Sequence, residues 1–360
     1  MVTATFGSEV AVFSHLLQTI KGWGLSRSWD AYNDGSVNPP WSVYNITTAI
    51  CIEALVKYQR ADIGYHEKEV DLALDKIFHD VLEKGYSSAR GMFYYSPRNE
   101  DHHFVHNVNS YMSLSLYQYL KYRSERDVGF DDTSFLRVIS NAAERTWDDR
   151  FYDSYGTVYF SYHHSSEWNL FKDRPNDLKH SMYTMRALYL LTKGGVIATG
   201  PTPKECIESM KRFVKDSKIY EWSQSNREPN RAYIDARLWG VGMLIVFIND
   251  MLEVETREDL TAELSSLFSQ VTEILFARYA AEKFRIWRYR PASKYVNLPR
   301  HLAHVFRGLS YSSRFSTTAK SKEFEATHLV LPKDNRYGAR DINLPKVYDN
   351  QGVAIYSLAD

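Results

Sequence analysis

The sequence predicts an all-α protein in which pairs of helices stack into a closed or curved array. A unit of amphipathic helix, aromatic segment and second helix occurs four times after a weaker first copy. The second helices begin with polar residues, at intervals of 71 (177−106), 58 (235−177) and 65 (300−235) residues. A repeat of this length fits a helix pair plus a long connection, and such pairs bury their apolar faces only against neighbouring pairs.

Ten helices in five pairs are predicted in order along the chain. The outer helix of each pair carries more charge, and the inner one is apolar over much of its circumference, as buried helices are. The predicted outer helices are 10–23, 67–83, 132–147, 203–214 and 257–279. The predicted inner helices are 41–59, 106–122, 177–191, 233–251 and 299–311. Four aromatic segments between them are expected to be short and hairpin-like, at 91–95, 157–162, 218–222 and 284–289.

The helical pattern fails from Ser312 onward. We therefore expect one helical domain over 1–312 and an irregular tail over 313–360 that packs on the array or closes it. The tail holds two strand-like pieces, at 328–331 and 353–356.

The composition excludes several classes of partner. Lys and Arg number 44, as do Asp and Glu, so the formal net charge is zero and no basic footprint for nucleic acid exists. No apolar run reaches the roughly 20 residues of a membrane span. We expect no membrane partner and a cytoplasmic location. Cys51 and Cys206 lie in helix-like sequence and are predicted to be free thiols.

The alternation of outer and inner helices with long aromatic connections resembles the (α/α) toroids. These include helical-barrel glycoside hydrolases and uronate lyases, glucuronyl C5-epimerases and terpene cyclases. The segment 104–109, Phe-Val-His-Asn-Val-Asn, is similar to inner-helix starts in bacterial polysaccharide-operon members. The resemblance covers about residues 8–312 and implies five to six helix pairs. The aspartate-rich metal motifs of terpene cyclases are absent, which disfavours that activity.

The polar starts of the inner helices are the predicted catalytic positions. His180 lies three residues after Asp177, which can orient the imidazole and raise its pKa, as a general base requires. His106, Asp235 and His301 occupy corresponding positions, so a closed array would open them onto one cavity. Helix capping is the alternative, but it explains Arg and His poorly because the helix dipole disfavours cations there.

Further residues are predicted to bind substrate, because aromatic rings stack on sugar faces and arginine clamps a carboxylate. They are Trp29, Asp30, Tyr32, Asn45, Asn107, Asn109, Tyr162, Glu167, Trp168, Tyr233, Arg237, Trp287, Arg300 and His304. The histidines at 102, 103 and 106 match no recognised ligand spacing, so no metal is predicted. No nucleotide-binding motif is present, so no cofactor is predicted.

These features favour an enzyme that acts on an acidic or polar sugar or glycoconjugate by acid/base chemistry. Epimerisation, elimination and hydrolysis all stay open. The alternatives are a peptide-modifying enzyme of a natural-product pathway and a non-catalytic binding toroid. The expected partner is a small-molecule, glycan or peptide substrate.

Overall fold

The computed structural model describes residues 22–25, 28–30, 35, 37–61, 67–127, 129–167, 175–223, 234–281, 286–288, 290–291, 303–305, 307–309, 328–332, 346–349 and 353–357. These residues contain eight longer α-helices and several short strand pairs. The helices are α1 Asn45–Arg60, α2 Glu67–Lys84, α3 His106–Arg126, α4 Thr133–Asp148, α5 Leu178–Lys193, α6 Pro203–Lys211, α7 Leu238–Val254 and α8 Glu258–Arg278. The mainly helical fold predicted from the sequence is confirmed.

One short antiparallel strand pair precedes α1, and a short antiparallel hairpin follows each of α2, α4, α6 and α8, where the aromatic segments were expected to form them. The strands are β1 Trp29–Asp30, β2 Val37–Asn38, β3 Tyr86–Ser87, β4 Met92–Phe93, β5 Phe151–Tyr152, β6 Val158–Tyr159, β7 Val214–Lys215, β8 Lys218–Ile219, β9 Ala280–Ala281 and β10 Ile286–Trp287. The β7–β8 turn places Asp216 and Ser217 at φ 50° and 54°. Two successive positive φ angles suit the twist of a two-residue hairpin turn.

Several helix boundaries differ from the prediction, and three of the differences have local reasons. The helix predicted from 41 begins at Asn45, because Trp41 has a positive φ of 68° and Tyr44 is extended. The helix predicted to reach 214 ends at Lys211, because Val214 enters β7. The helix predicted from 233 begins at Leu238, because Arg237 is extended.

The described residues of the tail form a small antiparallel sheet. The strands are β11 His328–Pro332, β12 Lys346–Asp349 and β13 Val353–Ser357, with β13 in the centre. The two strand-like pieces are confirmed, and β12 was missed. Of the last predicted inner helix, residues 303–305 and 307–309 are helical.

Contacts divide the chain into two compact units. The first contains residues 1–152, 158–174 and 183–202, and the second contains 153–157, 175–182 and 203–360. Cys51 and Cys206 are thiols rather than halves of a disulfide, as predicted. Within the described residues, no helix is both long and apolar enough to cross a membrane.

A backbone contact recurs where odd-numbered helices begin. The first N–H groups of a helix have no intrahelical acceptor. In α1, α3 and α5 the first residue donates its N–H to a carbonyl just past the following hairpin. The pairs are Asn45 to Tyr95 (3.0 Å), His106 to Tyr162 (3.2 Å) and Leu178 to Glu221 (2.8 Å). Each such contact joins one helix pair to the hairpin of the next.

The core of the first unit contains a buried ion pair between α1 and α5. Arg186 Nη2 lies 2.7 Å from Glu53 Oε1, and both side chains are about 99% buried. Tyr111 of α3 donates its hydroxyl to the second oxygen of Glu53. The Arg186 guanidinium lies 5.5 Å from the Tyr111 ring centre. Three odd-numbered helices are thus held together by one charged group and its hydrogen bonds.

Close packing in the second unit brings residues 303–305 and 307–309 against α7. A Cβ atom on Gly242 would lie 2.7 Å from the carbonyl carbon of His304, and one on Gly308 would lie 2.7 Å from Ile245 Cγ2. Asn249 Nδ2 donates to the Gly308 carbonyl at 2.6 Å. Glycine at 242 and 308 therefore permits the approach that positions His304.

Removing one partner of the buried pair is expected to destabilise the protein strongly. Arg186→Met leaves the Glu53 carboxylate buried without its guanidinium, which typically costs about 3–5 kcal/mol. The free energy of unfolding in urea measures this loss. Lys57→Met is the control, because the Lys57 ammonium lies 3.4 Å from Glu53 but is 39% exposed. It should cost less than about 1 kcal/mol. Equal losses for the two variants would contradict the assignment.

Candidate functional site

A charged cluster forms in the second unit where α5 begins. Asp177 precedes the helix and accepts the backbone N–H of His180 at 3.1 Å, so it caps the helix. The same oxygen, Oδ1, lies 2.8 Å from His180 Nδ1. The other oxygen of Asp177 accepts a hydrogen bond from Lys179. The predicted Asp177–His180 pair is therefore in contact, and Lys179 completes it.

Glu221 ties this cluster to the start of α7. Its Oε1 lies 3.6 Å from Lys179 Nζ and 3.3 Å from Arg237 Nε. Its Oε2 accepts the backbone N–H of Arg237 at 2.7 Å. Sequence reasoning missed Glu221 and Lys179 as site residues. The sequence did offer one indication for Glu221, which lies near the end of an aromatic segment. In the structure its backbone carbonyl accepts the N–H of Leu178, and its side chain accepts the N–H of Arg237.

Two rings extend the cluster beyond its charges. The Trp239 ring centre lies 5.8 Å from Lys179 Nζ. His304 stacks on Trp239, with ring centres 5.6 Å apart and planes 10° apart. The sequence predicted His304 as a substrate-binding residue but missed Trp239, which sits on the first turn of α7. Both rings therefore lie beside the charges that surround His180.

Exposure separates the groups that can meet a ligand from those that support them. The side chains of His180 and Arg237 are 20% and 38% exposed, whereas Asp177, Lys179 and Glu221 are buried. Burial lowers the pKa of His180 and outweighs the opposing effect of Asp177. Asp177 does raise this pKa, as expected from the sequence, but its effect is smaller than the lowering that burial causes. Burial would raise the pKa of Asp177, but His180 and Lys179 outweigh it and lower that pKa.

Asp235, predicted to be catalytic, is paired with an arginine of the protein. Its carboxylate forms an ion pair with Arg278 at the end of α8, at 3.2 Å. Its backbone pairs with Tyr220 in an isolated bridge. These contacts hold the chain in the extended path that leads into α7, and they favour a structural role for Asp235.

His106 occupies a closed environment in the first unit. Its side chain is fully buried, so the expectation that it opens onto a cavity is wrong. Nδ1 lies 2.8 Å from the Ser161 carbonyl oxygen, and Nε2 lies 2.8 Å from Asp149 Oδ2. Both ring nitrogens are already used within the protein, which favours a structural role.

Two predicted asparagines hold hairpins instead of facing a ligand. Asn45 Nδ2 donates to the carbonyls of Gly85 (3.3 Å) and Tyr94 (2.7 Å). Asn109 Oδ1 accepts the backbone N–H of Phe93 at 2.6 Å, and its Nδ2 donates back to the Phe93 carbonyl at 3.0 Å. Both side chains are buried, as is Asn107. Hairpin clamping therefore explains the polar residues at the starts of α1 and α3.

The remaining predicted residues divide between packing, a turn and a second polar cluster. Trp29 and Tyr162 pack together with buried Tyr44 and Tyr95. Asp30 accepts the backbone N–H of Gly35 at 3.0 Å and so stabilises a turn. Trp287 lies in β10. The other predicted residues lie outside the described part of the chain: Tyr32, Trp168, Tyr233, Arg300 and His301.

Glu167 meets two imidazoles in the first unit. Its Oε2 lies 3.3 Å from His103 Nδ1 and 3.2 Å from His163 Nδ1. Burial would raise the pKa of Glu167, but hydrogen bonds from both histidines and from the Phe104 backbone outweigh it and lower the pKa to about 2. Glu167 is therefore a carboxylate at neutral pH.

Comparisons with known proteins identify the fold. No protein-family model and no curated protein matches the chain. A sugar epimerase from a ruminal bacterium aligns with a TM-score of 0.59 and 12% identity, over 87% of this chain and 81% of its own. A D-mannose isomerase aligns with a TM-score of 0.51 and 11% identity, over 79% and 75%. An inactive variant of the α-1,6-mannanase of Salegentibacter sp. HEL1_6, in complex with α-1,6-mannotriose, aligns with a TM-score of 0.53 and 13% identity, over 76% and 77%.

These matches confirm the predicted resemblance: the chain shares the fold of (α/α) toroid proteins. At this level of identity the likeness concerns the fold alone. Its function has to be argued from the site.

Asp149 gives stability a pH dependence of defined sign. Burial would raise its pKa, but hydrogen bonds from His106 and Ser165 lower it from 3.8 to about 2. Its stabilising contribution is therefore complete above the ordinary pKa and disappears as the pH falls through about 2. Asp149→Asn should cost roughly 2 kcal/mol at neutral pH. Urea unfolding at several pH values should show this difference from wild type shrinking towards pH 2. Exposed Asp148→Asn is the control, and a pH-independent loss for Asp149→Asn would contradict the assignment.

Proposed function

We propose that this chain is an enzyme that moves a proton on a sugar, as an epimerase or isomerase, with His180 as the general base. The observation that carries the proposal is the partly exposed His180 imidazole, oriented by a buried carboxylate. Supporting it is the fold, which is shared with proteins described as a sugar epimerase and a D-mannose isomerase.

The chemistry requires a base beside a carbon that neighbours a carbonyl group. The lowered pKa of His180 keeps its imidazole neutral at neutral pH, and a neutral imidazole accepts a proton. The proton leaves the sugar carbon, and negative charge develops on the carbonyl oxygen. Arg237, the most exposed cation of the cluster, donates N–H groups to that oxygen. Reprotonation of the same carbon on the opposite face gives an epimer. Reprotonation of the former carbonyl carbon gives an isomer, when the hydroxyl proton of the first carbon moves to the former carbonyl oxygen.

His304 stacks on Trp239, which also contacts Lys179. The His304 side chain is buried, so it orients the Trp239 ring rather than meeting the sugar itself. Trp239 is partly exposed, and its ring offers a flat face to the C–H groups of a sugar.

The carboxyl groups favour imidazole chemistry over glycoside hydrolysis. Hydrolysis uses two carboxyl groups, of which one stays protonated through a raised pKa. Asp177 and Glu221 both contact the same Lys179, and the pKa of Asp177 is lowered. Every described carboxyl group with a clearly shifted pKa has it lowered: Asp131, Asp149, Glu167, Asp177 and Asp259.

The charges around His180 favour a neutral polar sugar over an acidic one. Among the described side chains of the cluster, Asp177 and Glu221 carry two negative charges, and Lys179 and Arg237 carry two positive ones. Arg237 already contacts Glu221, which offsets its attraction for a substrate carboxylate. We therefore propose a neutral aldose or ketose rather than a uronate.

Exchange with heavy water tests the reaction class directly. The protein is incubated in D2O with mannose, glucose, fructose and glucuronate, and the sugars are examined by NMR. An epimerase or isomerase incorporates deuterium at the reacting carbon of one of the neutral sugars. Absence of exchange, together with release of mannose from an α-1,6-mannan, would contradict the proposal and favour hydrolysis.

His180→Ala is expected to lower turnover by about 10² to 10⁴, the usual contribution of a general base. The melting temperature should change little, because Asp177 keeps Lys179 and the backbone cap. The control is His79→Ala, which removes an exposed imidazole from α2. A His180→Ala protein that unfolds readily but keeps its turnover would show that His180 is a packing residue.

Arg237→Ala is expected to raise KM for the neutral sugar, because it removes hydrogen-bond donors from the exposed side of the cluster. Steady-state kinetics on neutral and acidic sugars measure the effect, and Arg237→Lys should recover part of it. A rise in KM for the uronate alone would contradict the choice of a neutral substrate. It would instead support the role predicted from the sequence, in which Arg237 binds a substrate carboxylate.

A further inference from the structure

We propose that His103, His163 and Glu167 form a Zn²⁺ site in the first unit. One ligand atom from each residue lies within 4.8 Å of a ligand atom from each of the others. Two imidazoles and one carboxylate are a donor set that zinc uses with one further position left open. This inference is independent of the proposed sugar chemistry.

The distances match a tetrahedral zinc ion. Zinc binds imidazole nitrogen and carboxylate oxygen at about 2.0–2.1 Å, so two ligands of a tetrahedral ion lie roughly 3.3 Å apart. Glu167 Oε2 lies 3.3 Å from His103 Nδ1 and 3.2 Å from His163 Nδ1. Two imidazole nitrogens therefore converge on the same carboxylate oxygen at the separation that coordination requires.

The backbone holds the ligands in place without the ion. Val105 and His163 form an antiparallel bridge, and the His164 N–H donates to the Phe104 carbonyl at 3.0 Å. The Phe104 N–H donates to Glu167 Oε1 at 2.7 Å, which fixes the carboxylate and leaves Oε2 towards the histidines. Such outer hydrogen bonds orient metal ligands and strengthen binding.

The site also has a route to solvent. The His103 side chain is 40% exposed, whereas His163 and Glu167 are mostly buried. An ion can therefore enter from the side of His103, and the fourth coordination position is available to water or to a ligand oxygen.

The proposal departs from the sequence-based prediction that no metal binds. That prediction considered ligand spacing within one segment, whereas His103 and His163 are 60 residues apart (163−103). The segment around His103 and the segment around His163 pair like two strands, and this pairing brings the ligands together. A search for ligand spacing within one segment therefore could not find the set.

Zinc binding by the purified, EDTA-treated protein tests the site. Titration calorimetry with ZnCl2 should show one equivalent bound with a micromolar or tighter Kd. Co²⁺ should give the intense visible bands of a tetrahedral ion. His103→Ala and Glu167→Gln should each weaken binding about 100-fold or more. Glu167→Gln preserves the side-chain shape and the acceptor for the Phe104 N–H, and far-UV circular dichroism checks its fold.

His102→Ala is the matched control. His102 belongs to the same segment, but its ring stacks on Tyr94 with centres 3.8 Å apart. Its loss should leave zinc affinity unchanged. Absence of stoichiometric binding, or equal affinity in wild type and Glu167→Gln, would overturn the proposal. So would loss of binding in His102→Ala equal to that in His103→Ala.

Discussion

The requirement that an unbonded N–H at a helix start must find an acceptor organises much of this chain. At α1, α3 and α5 the acceptor is a carbonyl just past the next hairpin, at 2.8–3.2 Å. A helix start therefore needs the hairpin of the following pair, and that hairpin has to end in a defined place. This coupling explains why each repeat contains a short aromatic hairpin and why polar residues gather where odd-numbered helices begin.

The same constraint separates structural polar residues from the candidate functional ones. At α1 and α3 the polar side chains form hydrogen bonds within the protein. Asn45 and Asn109 bind the backbone of hairpins, and both ring nitrogens of His106 have partners. At α5 the hairpin instead contributes a carboxylate, Glu221, which attracts Lys179 and Arg237. His180 is partly exposed, and it lies beside the buried side chains of Asp177, Lys179 and Glu221.

Helix periodicity and aromatic spacing were sufficient to predict the alternation of helices and hairpins, since both signals are local. They also predicted the contact between Asp177 and His180, which lie three residues apart. The partners of Asp235 and His106 could not be predicted, because Arg278 and Asp149 lie 43 residues away in sequence. The position of a residue in the repeat indicates its place in the fold. Its burial and its contacts with residues distant in sequence decide whether it can meet a ligand.

The imidazoles of this chain differ because their neighbours differ. The Asp177 carboxylate contacts both His180 and the buried ammonium of Lys179, which balances its charge. Burial lowers the pKa of His180 and so keeps its imidazole neutral. Among the described residues, Glu167 pairs instead with His103 and His163, whose ring nitrogens converge on one of its oxygens. A balanced carboxylate leaves a neutral base able to accept a proton. A carboxylate on which two imidazole nitrogens converge provides, together with them, the donor set for a divalent cation.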